Sequence, residues 1–210
     1  MCKNKVSQSM LLWGLLVLGL WVMRVGVAEP LPQLPKGEAE PYRQPVFAVP
    51  EALHEDMADY RHRFNRVSAI SYSALHWNHF VSIFAAPNGA ATVYRNNFKE
   101  YMTLVEREDD GDDYEPSFQQ YPVGTVFVKE HFISEGGHAG NPTQLSVMKK
   151  HAAGYDFSGG DWEYIQIGFS GKVMARGNSE NPVVKALCSN CHSNIANRDY
   201  VFSLNYQEIR

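Results

Sequence analysis

Cysteine is scarce in this 210-residue chain. There are three, and the first, Cys2, sits in a segment with the features of a removable leader. That scarcity excludes a disulfide-stapled scaffold. Only one CxxC pair exists, at Cys188 and Cys191, so a structural zinc site built from two such pairs is excluded as well. Basic charge is not in excess. Lys and Arg number 19 against 23 Asp and Glu, a formal net charge of −4, and the electrostatic footprint of a nucleic-acid binder is missing. No internal repeat is visible. The longest apolar run, Met10 to Met23, is 14 residues, short of the roughly 20 that span a bilayer.

That run has the surroundings of a secretory signal. Lys3 and Lys5 precede it, and the small residues Gly26 and Ala28 flank Val27 just before Glu29. The expectation is cleavage near Ala28 and a periplasmic or otherwise exported mature chain; an uncleaved anchor is the alternative. Losing residues 1–28 removes Lys3, Lys5 and Arg24 and no acid, which takes the charge from −4 to −7. Residues 29–50 carry Pro30, Pro32, Pro35, Pro41, Pro45 and Pro50, which block a regular helix and predict a linker or loose arm. Residues 51–210 then form one domain, long enough for a core of its own. Hydrophobic content of 44% and charged content of 20% fit a soluble globular fold.

Within that domain, Leu53, Met57, Tyr60, Phe64 and Val67 recur at helical spacing after Pro50, and predict an amphipathic helix. A second helix is predicted from about Gly89 to Glu106, with Tyr94, Phe98, Tyr101 and Val105 on its stripe. Asp109, Asp110, Asp112 and Asp113 around Gly111 read as a solvated turn; their spacing does not match an EF-hand. Strands are predicted at about Asn78 to Ala85, Gly124 to Phe132, Gln144 to Lys150 and Trp162 to Phe169. Asn181 as N-cap and Pro182 at the first position open a last helix. The expected architecture is α+β, a small antiparallel sheet with packed helices and a C-terminal helix bearing the cysteines.

Cys188-Ser189-Asn190-Cys191-His192 is a CxxCH motif, the attachment sequence for haem c. On a helix, residues three and four apart share a face. Both thiols can then reach one haem edge while His192 reaches the iron. A redox dithiol would not need His192. One motif means one covalently bound haem c, with Cys188 and Cys191 as anchors and His192 as axial ligand. The sixth position stays open on this reading. A Met or a second His there gives an electron carrier, and an empty site gives a gas binder or a catalyst. Met57, Met102, Met148 and several histidines are available.

Four blocks carry a family resemblance. They are Tyr121 to Glu130, containing Gly124-Thr125-Val126-Phe127-Val128-Lys129-Glu130; Gly154-Tyr155-Asp156 through Gly160-Asp161-Trp162; the CxxCH segment; and Asp199-Tyr200-Val201-Phe202. In this order they resemble the cytochrome P-460 family, whose "GTVxVKE" strand the first block matches. His79 to Tyr101 fits as well, so the resemblance covers about residues 75–205. It implies a mostly antiparallel β fold, a homodimer, and a five-coordinate haem with an open distal face. In characterised members a lysine of that strand is bonded to the haem macrocycle, and its match here is Lys129. Those members oxidise hydroxylamine and pass electrons to an external cytochrome. Related cytochromes c-prime-beta lack the link and bind nitric oxide or carbon monoxide.

Strand alternation puts Phe127, Lys129 and His131 on one face and Val126, Val128 and Glu130 on the other. Pattern alone favours a solvent-facing lysine on an edge strand for Lys129; the resemblance reverses this and places it beside the haem, with Phe127 as a candidate haem contact. His131 is a candidate proton acceptor, or else a rim residue. His76 and His79 are further candidate acceptors, with a structural role the favoured reading. No distal acid can be matched. The expected ligand is a small nitrogen compound, with reversible gas binding and plain electron transfer as the other readings.

Overall fold

The computed structural model describes residues 47–207. The leader 1–28 and the arm up to residue 46 lie outside the described residues, so the expectations for them rest on sequence. The sheet has seven strands, all pairing antiparallel: β1 (Asn65–Arg66), β2 (Ser71–Ser73), β3 (His79–Ala85), β4 (Val126–Glu135), β5 (His138–Lys150), β6 (Trp162–Gly168) and β7 (Val173–Gly177). Their order is β1-β3-β4-β5-β6-β7, with β2 also paired to β3. The architecture is α+β. The sheet is larger than the four strands legible in the sequence, because β1, β2 and β7 are only two to five residues long and carry little periodicity.

Alternation along β4 divides the protein into two cores. Val126 and Val128 face a cluster with Leu53, Met57, Tyr60, Phe64, Leu145 and Ile165. Phe127 faces the other, with Tyr94, Tyr121, Trp162, Tyr164, Val184 and Val201. The register Lys129↔Ile83 and Lys129↔Ser146 fixes which neighbours share the face of Lys129. A slip of one residue would exchange the two faces.

The first predicted helix is broken. A 3-10 turn (Glu51–Leu53), α1 (His54–Met57) and α2 (Tyr60–Arg63) replace it. Asp59 leaves helical geometry at φ −121°, ψ 44°, and Phe64 is extended at φ −93°, ψ 154°. The cause is tertiary: from Asn65 the chain pairs with β3, and the Val67 N–H donates to the Ile83 carbonyl at 2.9 Å. Pairing at a sheet edge overrides local propensity. Leu53, Met57, Tyr60 and Phe64 are nevertheless buried together, as their spacing required. Val67 is buried in the other cluster.

The second helix forms as expected. It is α3 (Ala90–Asp109), opened by Gly89 at φ 94°, a left-handed conformation glycine adopts without steric cost. The acidic turn follows it, and Arg107 Nη1 donates to Asp112 at 2.9 Å. The last helix begins where expected: Asn181 Oδ1 accepts from the Val183 and Val184 N–H groups at 2.9 and 3.4 Å. Its course is α4 (Pro182–Val184), a π turn (Lys185–Ser189), α5 (Asn190–His192) and a 3-10 segment (Ser193–Arg198). The widened π turn contains Cys188; such turns recur at functional sites.

Candidate functional site

Two adjoining cavities of about 610 and 860 Å³ open between the Phe127–Lys129 face of the sheet and the CxxCH helix. Both are lined by His76, Lys129, Cys188 and His192. The walls are largely apolar and aromatic, with Trp77, Ile83 and Phe202 shared, Phe127, Met148 and Tyr164 on one side, and Tyr72 and Leu204 on the other.

Cys188 and Cys191 are free thiols, the first partly buried and the second exposed. Burial pushes the Cys188 thiol up to about 11, and the positive charge of Lys129 only partly offsets this. A dithiol oxidoreductase needs the opposite shift, so the environment disfavours that reading of CxxC.

His192 lies between the edges of Tyr164 and Phe202, each ring 5.4 Å away centre to centre. Its Nδ1 is 2.6 Å from the Tyr200 carbonyl oxygen. A carbonyl only accepts, so Nδ1 carries the proton and Nε2 is left as a lone-pair donor. That is the tautomer of a metal-ligating histidine held by its other nitrogen. Burial, followed by the charge of Lys129, lowers His192 to about 4, so the ring is neutral at ordinary pH. Two free thiols on one helical turn, an imidazole aimed from the same turn and an apolar cavity beside them fit a haem c. When bound, it would be held by Cys188, Cys191 and His192.

Lys129 extends from β4 into this cavity, and its Nζ lies 2.8 Å from His76 Nε2. Burial lowers the Lys129 amine to about 8, against a smaller opposing effect of Cys188 and Cys191. His76 Nδ1 in turn lies 2.7 Å from Ser73 Oγ on β2. Burial, then the neighbouring Lys129 charge, lowers His76 to about 3. The lysine therefore faces the cavity and not solvent. His76, read from sequence as structural, is its partner. Only tertiary folding could reveal this, since 53 residues separate the two.

His131 is fully buried and is not a rim residue. Its Nε2 pairs with Ser146 Oγ at 2.9 Å, and Ser146 Oγ donates to Gln166 Oε1 at 2.9 Å. Burial and then the charges of Lys129, His76 and His79 lower it to about 2. This neutral ring supports the cavity wall and is a poor proton store. Phe127 lines the first cavity. Of the three methionines, Met57 is buried in the opposite core and Met102 is exposed; Met148 lines the cavity. Among the described residues that line the two cavities there is no carboxylate.

Among curated proteins no relative matches the chain. The family model for Cytochrome P460 matches residues 58–203, which spans α2, the whole sheet, the CxxCH turn and the segment that holds His192. The chain therefore belongs to the cytochrome P460 family and is a c-type haem protein.

Proposed function

We propose that this chain is an exported cytochrome with one haem c, bound covalently through Cys188 and Cys191, that oxidises hydroxylamine or a related small nitrogen compound. The observation that carries the reading is the placement of Lys129. Its amine enters the haem cavity from the strand position at which characterised family members bond a lysine to the macrocycle. The haem, when bound, would supply an electron-accepting iron. His192 would bind it through Nε2, with Nδ1 secured on Tyr200. Lys129 is the residue placed to form the macrocycle link. Protons released from a small nitrogen substrate need a route out. His76 supports one, since its two ring nitrogens contact Lys129 and Ser73. Electrons would pass to an external cytochrome, and the resemblance supports a homodimer.

A second reading, reversible binding of nitric oxide or carbon monoxide, is favoured by one observation. The described cavity lining has no carboxylate that could serve as a distal base.

Intact mass of the mature holoprotein fixes leader cleavage and haem number. Its absorption spectrum, with hydroxylamine and an oxidant, separates the functions. Hydroxylamine consumption together with a red-shifted ferrous Soret band supports the enzyme. A red-shifted band with no consumption refutes it and leaves gas binding. A six-coordinate spectrum of ordinary c type refutes both and leaves electron transfer.

A further inference from the structure

The segment Asp199-Tyr200 follows the haem motif and is held in an unusual way. Both residues are left-handed, at φ 51° and 62°, although neither is glycine. Such conformations persist only where the surroundings over-determine them. Here the surroundings are polar and buried. Asp199 is 6% exposed and Lys150 8%. Lys150 Nζ donates to Asp199 Oδ1 at 2.5 Å and to the Gly160 carbonyl at 2.8 Å. The Tyr121 N–H donates to Asp199 Oδ2 at 2.8 Å. Trp162 Nε1 donates to the Asp199 carbonyl at 2.9 Å, and the Lys150 ammonium stands 5.1 Å from the Trp162 ring centre. The Tyr200 hydroxyl donates to the Ser158 carbonyl at 2.9 Å. The backbone of Lys150 is pinned in turn to Gly124 and Thr125 at 2.9 and 2.8 Å.

The bonds from Lys150, Tyr121 and Trp162 converge on Asp199, the residue just before Tyr200, whose carbonyl receives the His192 Nδ1–H. We propose that Lys150 and Asp199 are positioning residues for the axial ligand. Their buried pair fixes the Tyr200 carbonyl against His192, and so sets the reduction potential of the haem iron. The proposal rests on His192 as the iron ligand and needs no particular substrate. A carbonyl held firmly on Nδ1–H makes the imidazole more basic and stabilises ferric iron; loosening it favours ferrous iron. The clamp joins the Thr125 turn, Gly160 and Trp162, and Asp199 and Tyr200, three segments far apart in sequence.

The test compares holoprotein carrying Lys150→Met, Asp199→Asn or Trp162→Phe with wild type. The readouts are the midpoint potential, the ferrous iron–histidine stretching frequency by resonance Raman, and thermal stability. Trp162→Phe keeps an aromatic ring and both members of the pair, removes the indole N–H that holds the Asp199 carbonyl and leaves a small core cavity, so its potential and stretching frequency, read beside its stability, decide the matter if the other two fail to fold. The expected result is a lower stretching frequency and a higher potential, with an equilibrium shift on the order of tenfold for Lys150→Met, which is about 59 mV for a one-electron couple. Lys150→Arg should move both back towards wild type. If the folded variants melt earlier but keep the wild-type frequency and potential, the pair is only structural and the proposal is overturned. If wild type itself lacks an iron–histidine mode, the ligand reading fails and the clamp falls with it.

Discussion

Replacing Arg61 by methionine should destabilise the fold strongly and leave the haem spectrum unchanged, whereas replacing Lys129 should do the reverse. Glu130 is the pivot. It is 2% exposed on the face of β4 opposite Lys129. Its Oε1 accepts from the Tyr60 hydroxyl at 2.6 Å and from Arg61 Nε at 2.5 Å, and Oε2 accepts from Ser82 Oγ at 3.0 Å. Arg61 is the cation in that set, with a side chain only 8% exposed. Burial, reinforced by Glu130, holds the Tyr60 phenol far above its usual range, so it stays a neutral donor and cannot replace the lost charge.

Removing one partner of a buried ion pair costs about 3–5 kcal/mol, because the remaining charge is left uncompensated. For a domain of this size each kcal/mol moves Tm by about 2–4 °C, so Arg61→Met should melt roughly 6–20 °C earlier. A double variant with Glu130→Gln should lose less than the sum of the singles. Lys129→Met removes a desolvated amine from the cavity wall, which costs little stability. It should abolish any red shift of the ferrous Soret band. Calorimetry and absorbance on the same holoprotein samples check both arms. An Arg61→Met protein melting within 2 °C of wild type, or a red shift that survives Lys129→Met, would refute the two-face reasoning.

Three further outcomes are expected. Cys188→Ala and Cys191→Ala should each remove one thioether, and combining both with Lys129→Met should release all haem on denaturation, read by haem staining and intact mass. Gly160→Ala should destabilise by at least about 1 kcal/mol, since φ is +65° and an added Cβ would lie 2.3 Å from the Tyr200 ring; a denaturant melt measures it. Acid should unfold the protein partly through Asp156 and Glu163. Burial raises both carboxyls, but hydrogen bonds from Ser179, Gly159 and Ser158 hold Asp156 below its usual range, and Arg176 and His151 do the same for Glu163. Folded values below unfolded ones give stability that is present above the ordinary carboxylate range and lost as pH falls through the folded values. Asp156→Asn should flatten stability against pH there, and an unchanged slope would contradict the assignment.

Much of the fold was legible because its signals are local. Alternation along Val126 to His131 identified β4 and its two faces, and Asn181-Pro182 marked the start of the haem helix. The broken helix after Pro50 was not legible. Helical spacing correctly reported that Leu53, Met57, Tyr60 and Phe64 share a core, but pairing of Asn65 and Arg66 with β3 decided the backbone. Likewise β1, β2 and β7 are two to five residues long, too short for any period to emerge.

The sequence by itself determined the cofactor class, since CxxCH places two thiols and an imidazole on one turn whatever the rest of the chain does. It also determined which face of β4 carries Lys129, because alternation is a property of the extended backbone. Only the tertiary structure decided what that face meets. It brought His76 to Lys129 across 53 residues, buried His131 against Ser146, and seated His192 on the Tyr200 carbonyl through a pair formed by Lys150 and Asp199. Those contacts depend on strand register and on left-handed backbone at two non-glycine residues, neither of which a local pattern encodes.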